Sequence, residues 1–136
     1  MIKNTTIYRV IYGDTDKMGV VYYANYLRWF EIGRTELLRS LGITYKKLED
    51  EGCFMPVSEV KCKYKSSCTY DDVLIIETAL ETPVKASFVF NYSILGEDKK
   101  KVFAEGYTRH ACMNNDRKVI RPPEFLKNII ENSSLD

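Results

Sequence analysis

The sequence predicts an α+β domain in which one long helix packs on a five-stranded antiparallel sheet. Two observations carry this. Apolar residues recur at helical spacing in only one long segment, and from Pro56 onward the apolar period shortens to two. A single helix followed by consecutive strands places that helix on one face of an antiparallel sheet. The chain has 136 residues, which suits one domain spanning residues 1–136, with enough buried surface to hold a core without staples.

The first element, TTIYRVIY from Thr5 to Tyr12, alternates β-branched and aromatic residues and reads as a strand. Gly13 to Gly19 is polar and bounded by glycines, so it is a loop. A helix follows from Tyr22 or Tyr23 to Leu41, with Tyr23, Leu27, Phe30, Leu37, Leu38 and Leu41 on one face. Arg28, Glu31, Thr35 and Arg39 fall opposite, Glu31 and Arg34 are spaced to pair, and Gly42 stops the helix. A short helix is expected over residues 44–51. Strands are expected over 57–68, 72–82, 85–95 and 101–113, joined by short hairpin turns, and Lys99 to Lys101 form a solvated one. Pro122 and Pro123 open a C-terminal helix that turns Phe125, Leu126, Ile129 and Ile130 to one side. One helix covers one sheet face. The other, carrying residues such as Val89 or Tyr92, must be polar or covered, and a second copy of the chain is an economical cover, which predicts a homodimer.

The formal net charge of +1 gives no global attraction to nucleic acid or to anionic membranes. Cys53, Cys62, Cys68 and Cys112 lie 9, 6 and 44 residues apart, without a close pair, and His110 is the only histidine. That pattern predicts buried free thiols and no metal site. No apolar N-terminal leader is visible, and no apolar run approaches the roughly 18 residues of a membrane span, so a cytoplasmic location is expected.

The chemistry concentrates in YGDTDKMGVVYYANYLRWFE, residues 12–31. Aspartates ahead of a helix are commonly turn formers or caps, and spacing alone leaves Asp14 and Asp16 with that role or a catalytic one. Tyr22, Tyr26, Trp29 and Phe30 read as core. His110 reads as a satisfied sheet residue, and pairing it with Cys112 two positions along one strand is poor geometry for nucleophilic catalysis.

A strand, then G-D-T-D-x-x-G-V-V-Y-Y-x-N-Y, then a helix with E-x-x-R-T-E resembles the hot-dog-fold acyl-CoA thioesterases. The nearest group is the 4-hydroxybenzoyl-CoA thioesterase family, with its Tol-Pal-associated relatives. The resemblance implies a helix wrapped by the sheet, two chains joined edge to edge, and an active site at their interface. It makes Asp16 the catalytic carboxylate and the Tyr23 backbone N–H the group that polarises the thioester carbonyl, and it leaves Asp14 structural. Gly19 falls where the family brings the loop close to substrate; Val20 and Tyr22 of the same motif are expected to line the substrate. Lys85 matches a region that faces the CoA phosphates, with Lys61 and Lys63 as alternatives. No cofactor is implied, CoA arriving as part of the substrate. Two departures stand out: Tyr23 sits where several Tol-Pal-associated relatives carry histidine, and Asp71-Asp72 where many members show Gly-Asp. The rival readings are an acyl-carrier-protein thioesterase and a non-catalytic hot-dog module that binds acyl groups or assembles with partners.

Overall fold

The computed structural model describes residues 1–134. Strand β1 spans Ile2–Arg9, and a single 3₁₀ turn, Tyr12–Asp14, opens the loop after it. Helix α1 is Asn25–Ser40 and α2 is Tyr45–Asp50. Strands β2 (Val57–Tyr64), β3 (Val73–Leu80), β4 (Phe88–Gly96) and β5 (Val102–His110) complete the main sheet. Two residues of β6 (Cys112–Met113) pair with two of β7 (Val119–Ile120), and α3 (Glu124–Ser134) follows. The five long strands run antiparallel in the order β1-β3-β4-β5-β2.

Each boundary has a local cause. Strand β2 ends at Tyr64 rather than running to Cys68, because the Lys65 and Ser66 N–H groups both turn onto the Phe103 carbonyl. The Thr44 hydroxyl accepts the Lys47 N–H at 3.1 Å and starts α2. The Pro123 carbonyl takes the Leu126 and Lys127 N–H groups at the start of α3. The β6–β7 ladder is absent from the sequence reading, since two-residue strands leave no period to detect.

The helix presents a different stripe from the one expected. Tyr26, Trp29, Phe30, Gly33, Leu37 and Leu38 are buried, whereas Leu27 and Tyr23 are exposed. Gly33 explains the rotation. It lies so close to β3 that a Cβ there would press on the Thr78 hydroxyl and come within 2.9 Å of Ile76 Cγ2. The helix therefore seats its narrowest position on the sheet, a contact that counting large apolar residues cannot register. Glu31 and Arg34 do not pair; Arg34 Nε donates to the Tyr45 hydroxyl at 3.2 Å.

The far face of the sheet also departs from expectation. Tyr92 points toward the helix, buried and stacked on Phe30 with centroids 4.2 Å apart, while Val89 stays on the outer face, half-buried. One outer row is polar across the sheet, with Thr5, Glu77, Ser93, Glu105 and Lys63 side by side in register, whereas the neighbouring row of Ile7, Ile75, Leu95 and Val102 on the same face is apolar. Lys65 pairs with Glu105 at 2.9 Å and Arg109 with Glu59 at 3.6 Å. The edge strand β2 is exposed along its whole length apart from half-buried Cys62.

Candidate active site

The loop between β1 and α1 is a miniature hairpin. The Tyr22 N–H donates to the Asp14 carbonyl and the Asp16 N–H to the Val20 carbonyl, each at 2.9 Å. The Gly19 N–H closes the turn onto the Asp16 carbonyl at 3.0 Å, and Gly19 itself has φ +80°. Only glycine takes that conformation without strain, so Gly19 shapes the turn that presents Asp16.

The two aspartates have opposite surroundings. Asp14 is 1% exposed. Its Oδ2 accepts the Tyr8 hydroxyl at 2.7 Å and the Ile11 N–H at 3.0 Å, and Arg28 stands 3.5 Å from Oδ1. With every oxygen engaged it is a structural post. Asp16 is exposed, and its one side-chain bond is from the Met18 N–H to Oδ1 at 2.8 Å. The second carboxylate oxygen is left open.

Asp16, Val20, Tyr23, Tyr26 and Tyr64 line one cleft of about 340 Å³, in which Asp16 is the only carboxylate among the described residues. Helix α1 begins beside it without a side-chain cap, Ala24 holding the cap position. Among the described residues, the Tyr23 and Ala24 N–H groups donate to no acceptor. A helix start of this kind offers free donors and a partial positive charge. Tyr64 and Tyr26 stay protonated: burial, aided by Cys62, pushes Tyr64 up to about 12, and burial with the Cys68 contact raises Tyr26. They supply hydroxyls, not bases. The Tyr64 hydroxyl donates to the Tyr23 carbonyl at 3.2 Å.

Of the residues expected from sequence, the structure brings Asp16, Val20 and Tyr23 together. Gly19 and Tyr22 frame the site without lining it; Tyr22 is 46% exposed, not core, with its ring 4.8 Å from that of Tyr23. Lys85 lies apart, lining clefts with Arg109 and with Arg121 and Lys127. Tyr64 escaped the sequence reading as a site residue, although its parity with Val60 and Cys62 marks it as facing the helix side. A larger cleft of about 620 Å³ lies between Tyr45, Phe54, Met55, Met113 and Arg117. The helix start that borders it, at Tyr45, is capped by the Thr44 side chain, and burial beside Cys112 pushes its Cys53 thiol up to about 12, which makes a poor nucleophile.

His110 is fully buried, with Nδ1 3.0 Å from the Met55 carbonyl and Nε2 2.9 Å from the Thr108 hydroxyl. The Tyr92 hydroxyl meets the same Thr108 oxygen at 2.6 Å. The neutral ring satisfies this chain, donating from Nδ1 and accepting at Nε2. Burial lowers its pKa, opposed by the Met55 bond and helped by Arg34. The unfolded state then binds the proton first, so stability holds above about pH 6.5 and falls as pH drops toward the lower folded-state value. Urea midpoints measured from pH 7.5 to 5 are expected to show this loss, with a slope of at most about 1.4 kcal/mol per pH unit, and His110→Gln to flatten it. With no second histidine, a slope that persists in the variant would contradict the assignment.

A helix cradled by an antiparallel sheet, with an exposed carboxylate facing an uncapped helix start, defines the hot-dog class of thioesterase-like proteins. The profile of the Thioesterase-like superfamily matches residues 10–130, and the chain belongs to that family. A putative esterase of Aquifex aeolicus is 36% identical over 88% of this chain and 91% of its own. The putative acyl-CoA thioesterase YneP of Bacillus subtilis is 33% identical, over 87% of this chain and 83% of its own. The crystal structure of a DHNA-CoA thioesterase from Staphylococcus aureus superposes with a TM-score of 0.88 at 31% identity, covering 99% of this chain and 91% of that one.

Proposed function

We propose that the chain hydrolyses an acyl-CoA thioester to the free acid and CoA. The observation that carries this is the single cleft lined by one open carboxylate and by Tyr23, whose N–H at the start of α1 is unpaired among the described residues. Thioester hydrolysis needs a nucleophile, or a base that activates water, and it needs stabilisation of the charge that develops on the carbonyl oxygen. Asp16 meets the first need, attacking the carbonyl carbon or taking the proton of the attacking water. The Tyr23 N–H meets the second, and one such donor contributes about 3 kcal/mol to the transition state. The C–S bond then breaks. Where Asp16 has taken the proton of water, it returns it to the sulfur and CoA leaves as the thiol. Where Asp16 has attacked, the thiolate leaves and water then cleaves the acyl–Asp16 anhydride to free the acid. No step calls for a metal or a redox group.

The aromatic walls of the cleft suit a short-chain or aromatic acyl group, with Gly19, Val20 and Tyr22 along its approach. Lys85, sharing a cleft with Arg121 and Lys127, offers cations to the phosphates of the CoA tail. The bare β2 edge supports a homodimer formed by strand addition, because an exposed row of unpaired backbone groups is otherwise a liability. No described helix is long and apolar enough to cross a membrane, and we assign the enzyme to the cytoplasm.

Thiol release from a panel of acyl-CoA substrates, short-chain, long-chain and aromatic, tests the reading. Turnover is expected with short-chain or aromatic members and not with long ones. A matched acyl-carrier-protein substrate decides the carrier: faster release from the protein would overturn the assignment to CoA, and no turnover from either would overturn hydrolysis.

A further inference from the structure

Two donors converge on the Asp14 carbonyl oxygen: the Tyr22 N–H at 2.9 Å and Asn25 Nδ2 at 2.8 Å. The other end of the Asn25 amide is also held. Its Oδ1 accepts Arg28 Nη1 at 3.2 Å, and that same nitrogen stands 3.5 Å from Asp14 Oδ1. The carboxamide therefore has a fixed orientation, since a flip would put acceptor against carbonyl and donor against guanidinium.

This use of asparagine differs from capping. An asparagine at the cap position would turn its oxygen onto the first free N–H groups of the helix and quench them. Here the cap position is Ala24, whose side chain offers no acceptor, and the asparagine stands one residue later with its nitrogen donating backward into the loop. The helix start is tied down while its N–H groups stay open. Tyr23 lies between the two anchored residues, and Asp16 lies two residues beyond the anchor. One carbonyl oxygen thus sets the spacing between the carboxylate and the free amide.

We propose that Asn25 is a positioning residue, a latch that holds the first turn of α1 on the aspartate loop so that the Tyr23 N–H keeps its aim into the cleft. The inference rests on the hydrolytic reading of that cleft. Asn25 does not line the cleft, so it acts on the rate through Tyr23 and leaves substrate binding unchanged.

The test compares Asn25→Ala and Asn25→Gln with wild type, using whichever acyl-CoA the wild type turns over. In Asn25→Ala, kcat is expected to fall about 10- to 100-fold. KM should stay within about twofold, as for a loss confined to the transition state. Asn25→Gln, which keeps the amide one methylene farther out, is expected to recover part of kcat. The backbone amide resonance of Tyr23 should shift and exchange faster in Asn25→Ala, a readout independent of turnover. Wild-type kcat in Asn25→Ala, no recovery in Asn25→Gln, or an unmoved Tyr23 resonance would each overturn the latch. A wild type inert toward every thioester would instead overturn the hydrolytic reading, and the Tyr23 resonance would still decide the latch.

Discussion

Asp16→Asn is expected to cut kcat by about 10² to 10⁴-fold, the span associated with a positioned acid or base. The variant is informative because so little else depends on the removed charge. Asp16 is exposed, and its one side-chain contact is an accepted bond from the Met18 N–H. The asparagine oxygen can keep that bond, so the turn should persist. Thermal stability is expected to match wild type, and the loss should appear in kcat, measured by thiol release under saturating substrate. The neighbouring aspartate supplies the contrast. Asp14→Asn alters a buried group held by Tyr8, Ile11 and Arg28, so it should cost folding stability as well as rate. If Asp16→Asn hydrolysed at the wild-type rate, the carboxylate would have no part in the chemistry. Tyr26 and Tyr64, held protonated, could not replace it as base.

That division of labour between two aspartates two positions apart was only partly legible. Side-chain type cannot separate them, since both precede a helix and both can form a turn. The resemblance of the motif singled out Asp16, and burial gives the physical distinction: one carboxylate is enclosed by donors and the other is left open to a cleft. The strands and the long helix followed from period alone, because alternation over eight or nine residues leaves little choice of face. The helix stripe did not. Gly33 contributes nothing to an apolar count, yet it decides which side can approach β3. The assignment of Tyr92 to the outer sheet face failed for a related reason: Tyr92 belongs to the inner row and stacks on Phe30. Tyr64 was invisible as a site residue because its contact with Tyr23 spans 41 positions. Lys85 illustrates the reverse. Its position suits a phosphate, but the cleft it lines within one chain is not the cleft of Asp16, so a common substrate would have to reach across both.

Gly106→Ala is expected to be the most damaging single methyl addition in the sheet. Gly106 pairs with Tyr92 on one side and Cys62 on the other, in the middle of β5. A Cβ there would sit on the Lys61 carbonyl oxygen and come within 3.0 Å of the Cys62 Cα. At Gly33 the obstructing atoms belong to side chains, which can yield by changing rotamer. At Gly106 they are backbone, and relief requires β2 to move off β5, stretching the ladder bonds around it. The cost should therefore reach or exceed the top of the range of about 1–3 kcal/mol usual for overpacking. For a domain of this size that is a fall in Tm of roughly 10 °C, measurable by thermal unfolding followed by circular dichroism. The displacement also has a catalytic consequence. Strand β2 ends at Tyr64, whose hydroxyl holds the Tyr23 carbonyl, and the next residues, Lys65 to Ser67, form a wall of the Asp16 cleft. Hydrolysis by the folded fraction should fall as well, because moving that wall reshapes the cleft that Asp16 and Tyr23 line. A variant with wild-type Tm would mean that β2 yields at no cost and that the close approach of the two strands contributes nothing to the fold.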